Sequence, residues 1–253
     1  MLAIIGGTGL TRLSTLAIAR REVVRTPYGE PSSALVFGEI AATSALFLAR
    51  HGHGHTIPPH RVNYRANLWA LKNRGATAVL AVASVGGIRG VAPGELVLPH
   101  QIIDYTHDRP ATFFDGGDRT VVHVDFTHPY TPALRQTCLE GAAKAGIALA
   151  DGGVYAAVSG PRLETAAEID RLDRDGATMV GMTGMPEAAL ARELELPYAA
   201  IAVVVNHGAG RGDSGDHISM ESIADVLETA MEKVRTLLEH IAPLVQEYST
   251  GAK

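Results

Sequence analysis

Two short runs of the chain, residues 78–83 and 198–205, are apolar almost throughout. Strands without polar alternation are expected where both faces of a sheet are covered, as in the parallel and mixed sheets of α/β proteins. The clearest helix is predicted over residues 223–244, where apolar residues recur at steps of three and four positions. Strand-like and helix-like segments alternate along the chain. This order predicts an α/β fold in which helices flank a twisted mixed β-sheet.

No linker or charged block divides the chain, so we expect a single domain over residues 1–248, followed by a C-terminal tail over residues 249–253. Apolar and β-branched runs predict the strands, and helical spacing with capping residues predicts the helices. The predicted strands cover residues 2–5, 35–40, 45–49, 78–83, 96–103, 154–158, 178–181 and 198–205, and the predicted helices cover 62–72, 132–145, 162–174, 186–195 and 223–244.

The composition excludes several classes of protein. With 46% hydrophobic and 19% charged residues among 253, the chain can bury a core and is not disordered. A formal charge of −5 gives no electrostatic case for a nucleic-acid partner. No run approaches the roughly 20 apolar residues of a membrane span. The N-terminus lacks signal-peptide features. Cys138 is the single cysteine, so it cannot form an internal disulfide. We therefore expect a cytoplasmic protein without membrane or nucleic-acid partners.

A glycine-rich turn, Gly6-Gly7-Thr8-Gly9, follows the first predicted strand. Glycines allow backbone N–H groups to approach an anion closely, and the Thr8 hydroxyl adds a donor. A dinucleotide-binding fingerprint would identify a nucleotide-binding oxidoreductase, but Arg12 stands where its last glycine should be, and a Walker A lysine is also missing. At this point an anion-binding loop and a plain tight turn remain equally favoured.

A histidine loop, His51-Gly52-His53-Gly54-His55, directly follows Arg50. Three histidines on one face of an extended segment could hold a metal ion, although no cysteine joins them and the glycines suggest a pliable loop. Arg50 with its neighbouring histidine could instead grip an oxyanion through the guanidinium fork. Anion binding is favoured over a solvated loop, and a metal-binding protein is the least favoured alternative.

Four more strand ends carry glycines and polar side chains, at residues 84–88, 159–165, 180–187 and 204–213. Open α/β sheets bind ligands at the carboxyl ends of their strands, so these segments predict one shared site. Simpler interpretations remain for single residues: Glu164 and Glu187 can be helix-start charges, and Met182 can be core filler. The last segment contains three glycines within five residues and predicts a mobile lid over the site.

Taken in order, these stretches resemble the purine nucleoside phosphorylase superfamily, in particular its trimeric branch that contains methylthioadenosine phosphorylases. The likeness runs from residue 1 to about residue 245. It implies one α/β domain, a homotrimer, and phosphorolysis of a purine nucleoside to free base and ribose 1-phosphate. Phosphate is then a co-substrate, with no cofactor and no metal. The matching stretches are Ile4–Gly9, Thr26–Ser32, Ala49–Gly52, His55-Thr56, Val62–Asn67, Gly160–Arg162, Met182-Thr183 and Pro186-Glu187.

The resemblance also implies roles for individual residues. Met182 is expected against the ribose, with Leu163 and Gly86 in the substrate pocket. His123 is expected to reach the site of a neighbouring subunit, because the family builds each pocket partly from the adjacent chain. The expected phosphate ligands are Thr8, Arg50, His51, Ser84 through its backbone, and Thr183.

Two positions depart from the methylthioadenosine phosphorylases. Those enzymes carry aspartate where this chain has Asn206 and Gly208, and they lack the carboxylate of Glu164. Inosine and guanosine phosphorylases carry glutamate and asparagine at the places of Glu164 and Asn206. A 6-oxopurine presents N1–H, which a glutamate accepts, while an asparagine amide donates to O6 or N7. Glu164 and Asn206 are therefore the expected catalytic pair, and hypoxanthine is the expected base.

The 5′ end of the nucleoside is predicted from Met220, which lies near the place where nucleoside-specific relatives carry a histidine. An apolar, polarizable lining suits a methylthio group, although His217 could still meet a 5′-hydroxyl. We therefore expect 5′-methylthioinosine as the substrate. The alternatives are an inosine or guanosine phosphorylase, a methylthioadenosine phosphorylase, and, outside this class, the oxidoreductase and the metal-binding histidine loop.

Overall fold

The computed structural model describes residues 1–117 and 120–251. Its strands are β1 (Leu2–Gly6), β2 (Ala17–Glu22), β3 (Leu35–Ile40), β4 (Thr43–Ala49), β5 (Ala78–Gly87), β6 (Leu96–Leu98), β7 (Gln101–Asp104), β8 (Ala150–Asp151), β9 (Val154–Ala157), β10 (Met179–Gly181) and β11 (Tyr198–His207). Its helices are α1 (Tyr64–Asn73), α2 (Pro132–Ala145), α3 (Ala166–Arg174), α4 (Gly184–Glu193) and α5 (Met220–Gly251).

All eleven strands of the described residues join one mixed sheet. Eight of them lie side by side in the order β2-β3-β4-β1-β5-β10-β9-β7. Strand β11 lies beside β5 and carries β6 and then β8 on its other edge. Strands β4, β1, β5 and β11 are parallel, so their carboxyl ends meet on one side of the molecule. Strand β10 runs antiparallel to β5 and pairs with its last two residues. The sheet confirms the predicted mixed α/β fold.

Helices cover both faces of the sheet, which explains why β5 and β11 are apolar on both sides. On one face α1 and α4 contribute Leu68 and Leu190 to a buried cluster. On the other face α2 and α5 contribute Leu134 and Val234. A smaller cluster lies under α3, around Ile169. The strand ends that carry polar residues are therefore held by rigid packing on both sides.

Some predicted boundaries are wrong for identifiable reasons. The predicted strand 96–103 is two strands, because Pro99 has no N–H for a ladder and His100 donates its N–H to the Gly153 carbonyl instead. Strand β6 then pairs with β11, whereas β7 pairs with β9. Strand β2 was not predicted, because its residues are mostly exposed and charged and show no apolar pattern.

The helix predicted from residue 162 begins four residues later, as α3. Thr165 is its N-cap and accepts a hydrogen bond from the N–H of Glu168, whose carboxylate in turn accepts from the N–H of Thr165. This reciprocal capping box defines the first turn of α3. Residues 162–164 consequently belong to the loop before the helix.

The last helix, α5, continues past residue 248, where the domain was predicted to end. Residues 252 and 253 of the predicted tail lie outside the described residues. The division into a domain and a tail therefore stays a prediction. In the described part of the chain, none of the helices combines the length and the apolar character that crossing a membrane requires.

Candidate active site

A cavity of about 590 Å³ opens where the carboxyl ends of β1, β4, β5 and β11 meet the end of β10. Its walls bring together every predicted site residue except His123. The lining also includes the loop after Arg50, from His55 to Pro59. The predicted residues in the walls are Thr8, Arg50, His51, Ser84, Gly86, Leu163, Glu164, Met182, Thr183, Asn206 and Met220.

The glycine-rich turn after β1 is required by close packing. A Cβ on Gly7 would lie 2.6 Å from the Val82 carbonyl oxygen and 2.9 Å from Nη1 of Arg50, so only glycine fits there. Thr8 follows as an exposed residue at the cavity wall. The Ser84 hydroxyl lies 3.5 Å from the Thr8 carbonyl oxygen, which brings the ends of β1 and β5 together.

Arg50 is buried, with 1% of its side chain exposed, and its partner Glu187 is fully buried. Nε and Nη2 of Arg50 donate to the two carboxylate oxygens of Glu187 at 2.7 and 2.9 Å, and Nη1 donates to the Val82 carbonyl at 3.0 Å. Burial opposes the charged guanidinium, but the charge and hydrogen bonds of Glu187 outweigh it and raise the pKa of Arg50. Arg50 is therefore a fixed cation in the wall of the cavity.

This pairing limits how Arg50 can bind an oxyanion, a role that stays a prediction. A guanidinium has five N–H groups, and three of them are bonded to Glu187 and Val82, so two remain for a ligand. Glu187 lies in the first turn of α4, as a helix-start charge does, and it is also the partner of the arginine. Glu187 accepts a further hydrogen bond from the Tyr198 hydroxyl at 2.8 Å and acts as the anchor of the arginine.

His51 is buried beside Arg50. Its Nδ1 lies 2.8 Å from the carbonyl oxygen of Ile57. Burial, together with the neighbouring charge of Arg50, lowers the pKa of His51 to about 4. The imidazole is therefore neutral at physiological pH.

Glu164 lies in the loop before α3, and Glu168 is the acidic residue in the first turn of the helix. The simpler interpretation of Glu164 as a helix-start charge is therefore wrong. The Glu164 side chain lines the cavity, and its desolvation raises the pKa of the carboxyl. A second cavity of about 500 Å³ meets the other side of Glu164 and is bordered by Arg162 and Arg171.

Asn206 is positioned by an irregularity in the pairing of β11 with β5. The register shifts between Val204 and Asn206, so that Asn206 lies opposite Gly86. Such bulges re-aim side chains next to functional sites. One N–H of the Asn206 amide is donated to the His207 carbonyl at 2.5 Å. The other N–H and the carbonyl oxygen of the amide remain for a ligand.

Met182 and Thr183 connect β10 to α4 and line the cavity. Thr183 is buried, and its N–H lies 3.4 Å from the Tyr155 hydroxyl oxygen. The Met182 side chain packs against Gly160, so it belongs to the wall of the cavity and is not core filler.

The rim of the cavity is apolar. Met220 and Ile223, from the first turn of α5, line it together with Leu163. Met220 is 66% exposed and Leu163 is 37% exposed, which is unusual for side chains of this size. His217 is exposed and is not part of the lining.

The glycine-rich segment after Asn206 does not cover the cavity. The Gly208 N–H donates to the Gly87 carbonyl at 2.7 Å, and Arg211 pairs with Asp170 of α3 at 2.8 Å. Residues 207–213 are not part of the lining. The structure thus holds this segment against α3, beside the cavity, and does not support the predicted lid.

His123 is exposed in a segment without regular secondary structure, outside the cavity. Val121 and Val122 beside it are also exposed. Its predicted role in a neighbouring subunit's site stays a prediction.

The histidine loop does not form a cluster of metal ligands. His51 and His55 lie with ring centroids 4.6 Å apart, while His53 lies 3.5 Å from Arg12. Throughout residues 1–117 and 120–251, no group of three or more histidine, cysteine, aspartate or glutamate residues is arranged to hold a metal ion.

Arg109 is a residue that the sequence analysis missed. Its Nη1 donates to the carbonyls of Met182 and Met185 at 2.8 and 2.6 Å, and its Nη2 donates to the carbonyl of Ser159 at 2.8 Å. It thereby ties the segment that carries Met182 to the loop that leads to Glu164. The sequence around a single arginine in a polar loop contains no pattern that would predict such contacts.

A cavity at the carboxyl ends of parallel strands, lined by cationic, acidic and amide groups, defines a ligand-binding α/β protein. The model of the phosphorylase superfamily matches residues 1–243, and the chain belongs to this family. The resemblance found in the sequence is confirmed.

Individual relatives are similar over almost their whole length. A protein from Pseudomonas syringae pv. tomato, described as a probable S-methyl-5′-thioinosine phosphorylase, is 52% identical over 240 residues, which cover 94% of this chain and 97% of that protein. The 6-oxopurine nucleoside phosphorylase of Pyrococcus furiosus is 40% identical over 259 residues, which cover 100% of this chain and 96% of that protein. Among solved structures, methylthioadenosine phosphorylase from Schistosoma mansoni in complex with adenine has a TM-score of 0.92 at 30% identity, covering 97% of this chain and 92% of that one.

Proposed function

We propose that this protein cleaves S-methyl-5′-thioinosine with inorganic phosphate and releases hypoxanthine and 5-methylthioribose 1-phosphate. The observation that carries the proposal is one cavity whose walls combine an arginine–histidine pair, a glutamate–asparagine pair and an apolar rim. The relatives described as S-methyl-5′-thioinosine and 6-oxopurine nucleoside phosphorylases support it.

Phosphate is assigned to the walls formed by Thr8, Arg50, His51, Ser84 and Thr183. Arg50 supplies a fixed positive charge and two free N–H groups, and an oxyanion is well stabilised by such preorganised donors. The hydroxyls of Thr8 and Thr183 and the backbone of Ser84 can donate further hydrogen bonds.

The base is assigned to Glu164 and Asn206. The carboxylate of Glu164 accepts N1–H of hypoxanthine, and the free N–H of the Asn206 amide donates to O6 or N7. An adenine base presents a lone pair at N1, so it would leave the carboxylate facing another acceptor. Mismatched buried polar groups of this kind are an effective basis for rejecting a near-isostere.

The proposed reaction is a displacement at C1′ of the ribose. A phosphate oxygen forms a bond to C1′ as the bond from C1′ to N9 breaks, and the electron pair of that bond leaves with the base. The departing base takes up a proton and becomes neutral hypoxanthine; overall this proton comes from the hydrogen phosphate, whose ester product is the dianion of the sugar 1-phosphate. A hydrogen bond from Asn206 to N7 or O6 strengthens as negative charge builds on the base, and this lowers the barrier.

The sugar is assigned to Met182, and its 5′ substituent to the rim formed by Met220, Ile223 and Leu163. A methylthio group would cover apolar surface that is exposed in the empty cavity. An inosine or guanosine phosphorylase is the second candidate, because one relative is described as a 6-oxopurine nucleoside phosphorylase and Met220 leaves the rim open to solvent. The similarity to methylthioadenosine phosphorylase supports a methylthio group at the 5′ position of the proposed substrate, but it does not support hypoxanthine as its base.

The assembly is proposed to be a homotrimer in which His123 completes a neighbouring site. The exposed Val121 and Val122 beside it are suited to burial between subunits. A cytoplasmic location, and independence from metals and cofactors, stay predictions from the sequence.

The proposal is tested with methylthioinosine, methylthioadenosine, inosine, guanosine and adenosine, each assayed spectrophotometrically with phosphate. We expect the highest kcat/KM for methylthioinosine. A higher value for inosine would favour the second candidate, and a higher value for methylthioadenosine would overturn the assignment of Glu164 and Asn206 to the base.

A further inference from the structure

The tautomer of His51 is set by its hydrogen bond to Ile57. A carbonyl oxygen can only accept, so the proton of the neutral ring must be on Nδ1, which lies 2.8 Å from it. A neutral imidazole carries one proton, and Nε2 therefore keeps a lone pair. Among the described residues no hydrogen bond to this Nε2 is found, and the ring lines the cavity.

The surroundings of His51 keep it in this form. Arg50, the adjacent residue in sequence, is a permanent cation in the same wall, and the ring of His55 lies tilted beside His51, with the centroids 4.6 Å apart. A second proton would place an imidazolium next to the buried guanidinium, at a site that has lost most of its water.

We propose that His51 recognises a protonated oxygen of phosphate by accepting its P–OH hydrogen at Nε2. This inference rests on the proposed function and specifies which form of the co-substrate the site takes. Arg50, Thr8 and Ser84 are donors and suit the unprotonated oxygens, whereas Nε2 would repel an unprotonated oxygen. His51 thus fixes the orientation of the phosphate and selects against oxyanions that carry no proton.

Sulfate is the matched probe, because it has the shape of phosphate but no proton at neutral pH. Titration calorimetry at pH 7.5 and constant ionic strength would give the Kd of each anion for the wild-type protein. A lone pair left facing an oxyanion is expected to weaken sulfate binding by about tenfold or more relative to phosphate. Equal affinities for the two anions would overturn the inference.

The variant His51→Gln can present either the N–H or the oxygen of its amide at the same place. It should bind sulfate more tightly than the wild type does, so that the ratio of the two Kd values falls toward one. Thr8→Val is the control, because the loss of a hydroxyl donor from the cavity wall should weaken both anions by a similar factor and preserve the ratio. An unchanged ratio in His51→Gln would contradict the proposal.

Nitrogen NMR of the wild-type protein tests the same point without a variant. The His51 ring should show a protonated Nδ1 and an unprotonated Nε2 at pH 7.5, and the Nε2 resonance should shift with phosphate but not with sulfate. A protonated Nε2 would refute the inference. Phosphate-dependent cleavage is demonstrated before any binding is measured. If the enzyme cleaves with phosphate but binds sulfate equally well, the inference about His51 is refuted while the proposed function stands.

Discussion

Arg50 and Glu187 form a buried ion pair in which two hydrogen bonds, of 2.7 and 2.9 Å, join the guanidinium to both carboxylate oxygens. The two residues are 137 positions apart in sequence. The pair links the end of β4 to α4, and it holds the cation of the cavity at a fixed place. The carboxylate also neutralises a charge that would otherwise be buried without a partner.

Replacement of Glu187 by glutamine should destabilise the protein and impair phosphate binding. Removal of one partner from a buried pair costs about 3 kcal/mol in the free energy of unfolding, and an unanchored Arg50 should raise the KM for phosphate. Chemical denaturation and steady-state kinetics measure the two effects. Glu22→Gln, at an exposed pair with Arg74, should change neither quantity appreciably. A fully stable Glu187→Gln variant with unchanged KM would contradict this role.

The substitution Asn206→Asp should erode the preference for 6-oxopurines. An aspartate can accept but not donate, so it loses the hydrogen bond to O6 and can meet the amino group of adenine instead. The ratio of kcat/KM for methylthioinosine to that for methylthioadenosine should therefore fall by about tenfold or more. Asn73→Asp, at the exposed end of α1, should leave the ratio unchanged. The same ratio in Asn206→Asp and the wild type would show that Asn206 does not contact the base.

Acidification should reduce activity through Glu164. Only its ionised form accepts N1–H of the base, and desolvation raises the pKa of this carboxyl. The acceptor is therefore lost as the pH falls, and the loss begins at a higher pH than for an exposed glutamate. The pH profile of kcat/KM for methylthioinosine should show this acidic limb. In Glu164→Gln the limb should be absent and the activity low throughout, whereas persistence of the limb would assign it to another group.

Met220→Gln should weaken the discrimination in favour of a 5′-methylthio group. Burial of a methyl group and a sulfur atom against Met220 is worth about 1–2 kcal/mol, so kcat/KM for methylthioinosine should fall roughly tenfold. The value for inosine should change little, because its 5′-hydroxyl gains from a polar rim. Val23→Ala, another exposed apolar residue far from the rim, is the control. An equal loss for both nucleosides would place the 5′ end elsewhere.

The fold was predictable where local signals agree with the packing. Helix α2 begins at Pro132 and ends before Gly146, whose φ of 65° suits glycine, as its sequence predicts. Thr131 precedes the helix as its N-cap residue but makes no capping hydrogen bond, since its hydroxyl accepts from the N–H of Tyr198. Several cavity residues, such as Thr8 and Arg50, directly follow the end of a strand, and parallel strands bring such ends together.

Local sequence patterns could not predict side-chain contacts between residues that are far apart in the sequence. Nothing near Glu187 in the sequence shows that Arg50 is its partner, and nothing near Arg109 shows that it bonds the carbonyls of Met182 and Ser159. Glu164 was misplaced at a helix start because the capping box of α3 lies one residue further on. The predicted role of His123 would depend on a second chain, and it stays a prediction.

Product analysis of the wild-type reaction tests the central claim most directly. The protein is incubated with methylthioinosine in the presence and absence of inorganic phosphate, and the products are identified by mass spectrometry. We predict hypoxanthine and 5-methylthioribose 1-phosphate in equal amounts, with no cleavage when phosphate is absent. Release of free 5-methylthioribose, or cleavage at the same rate without phosphate, would contradict the account.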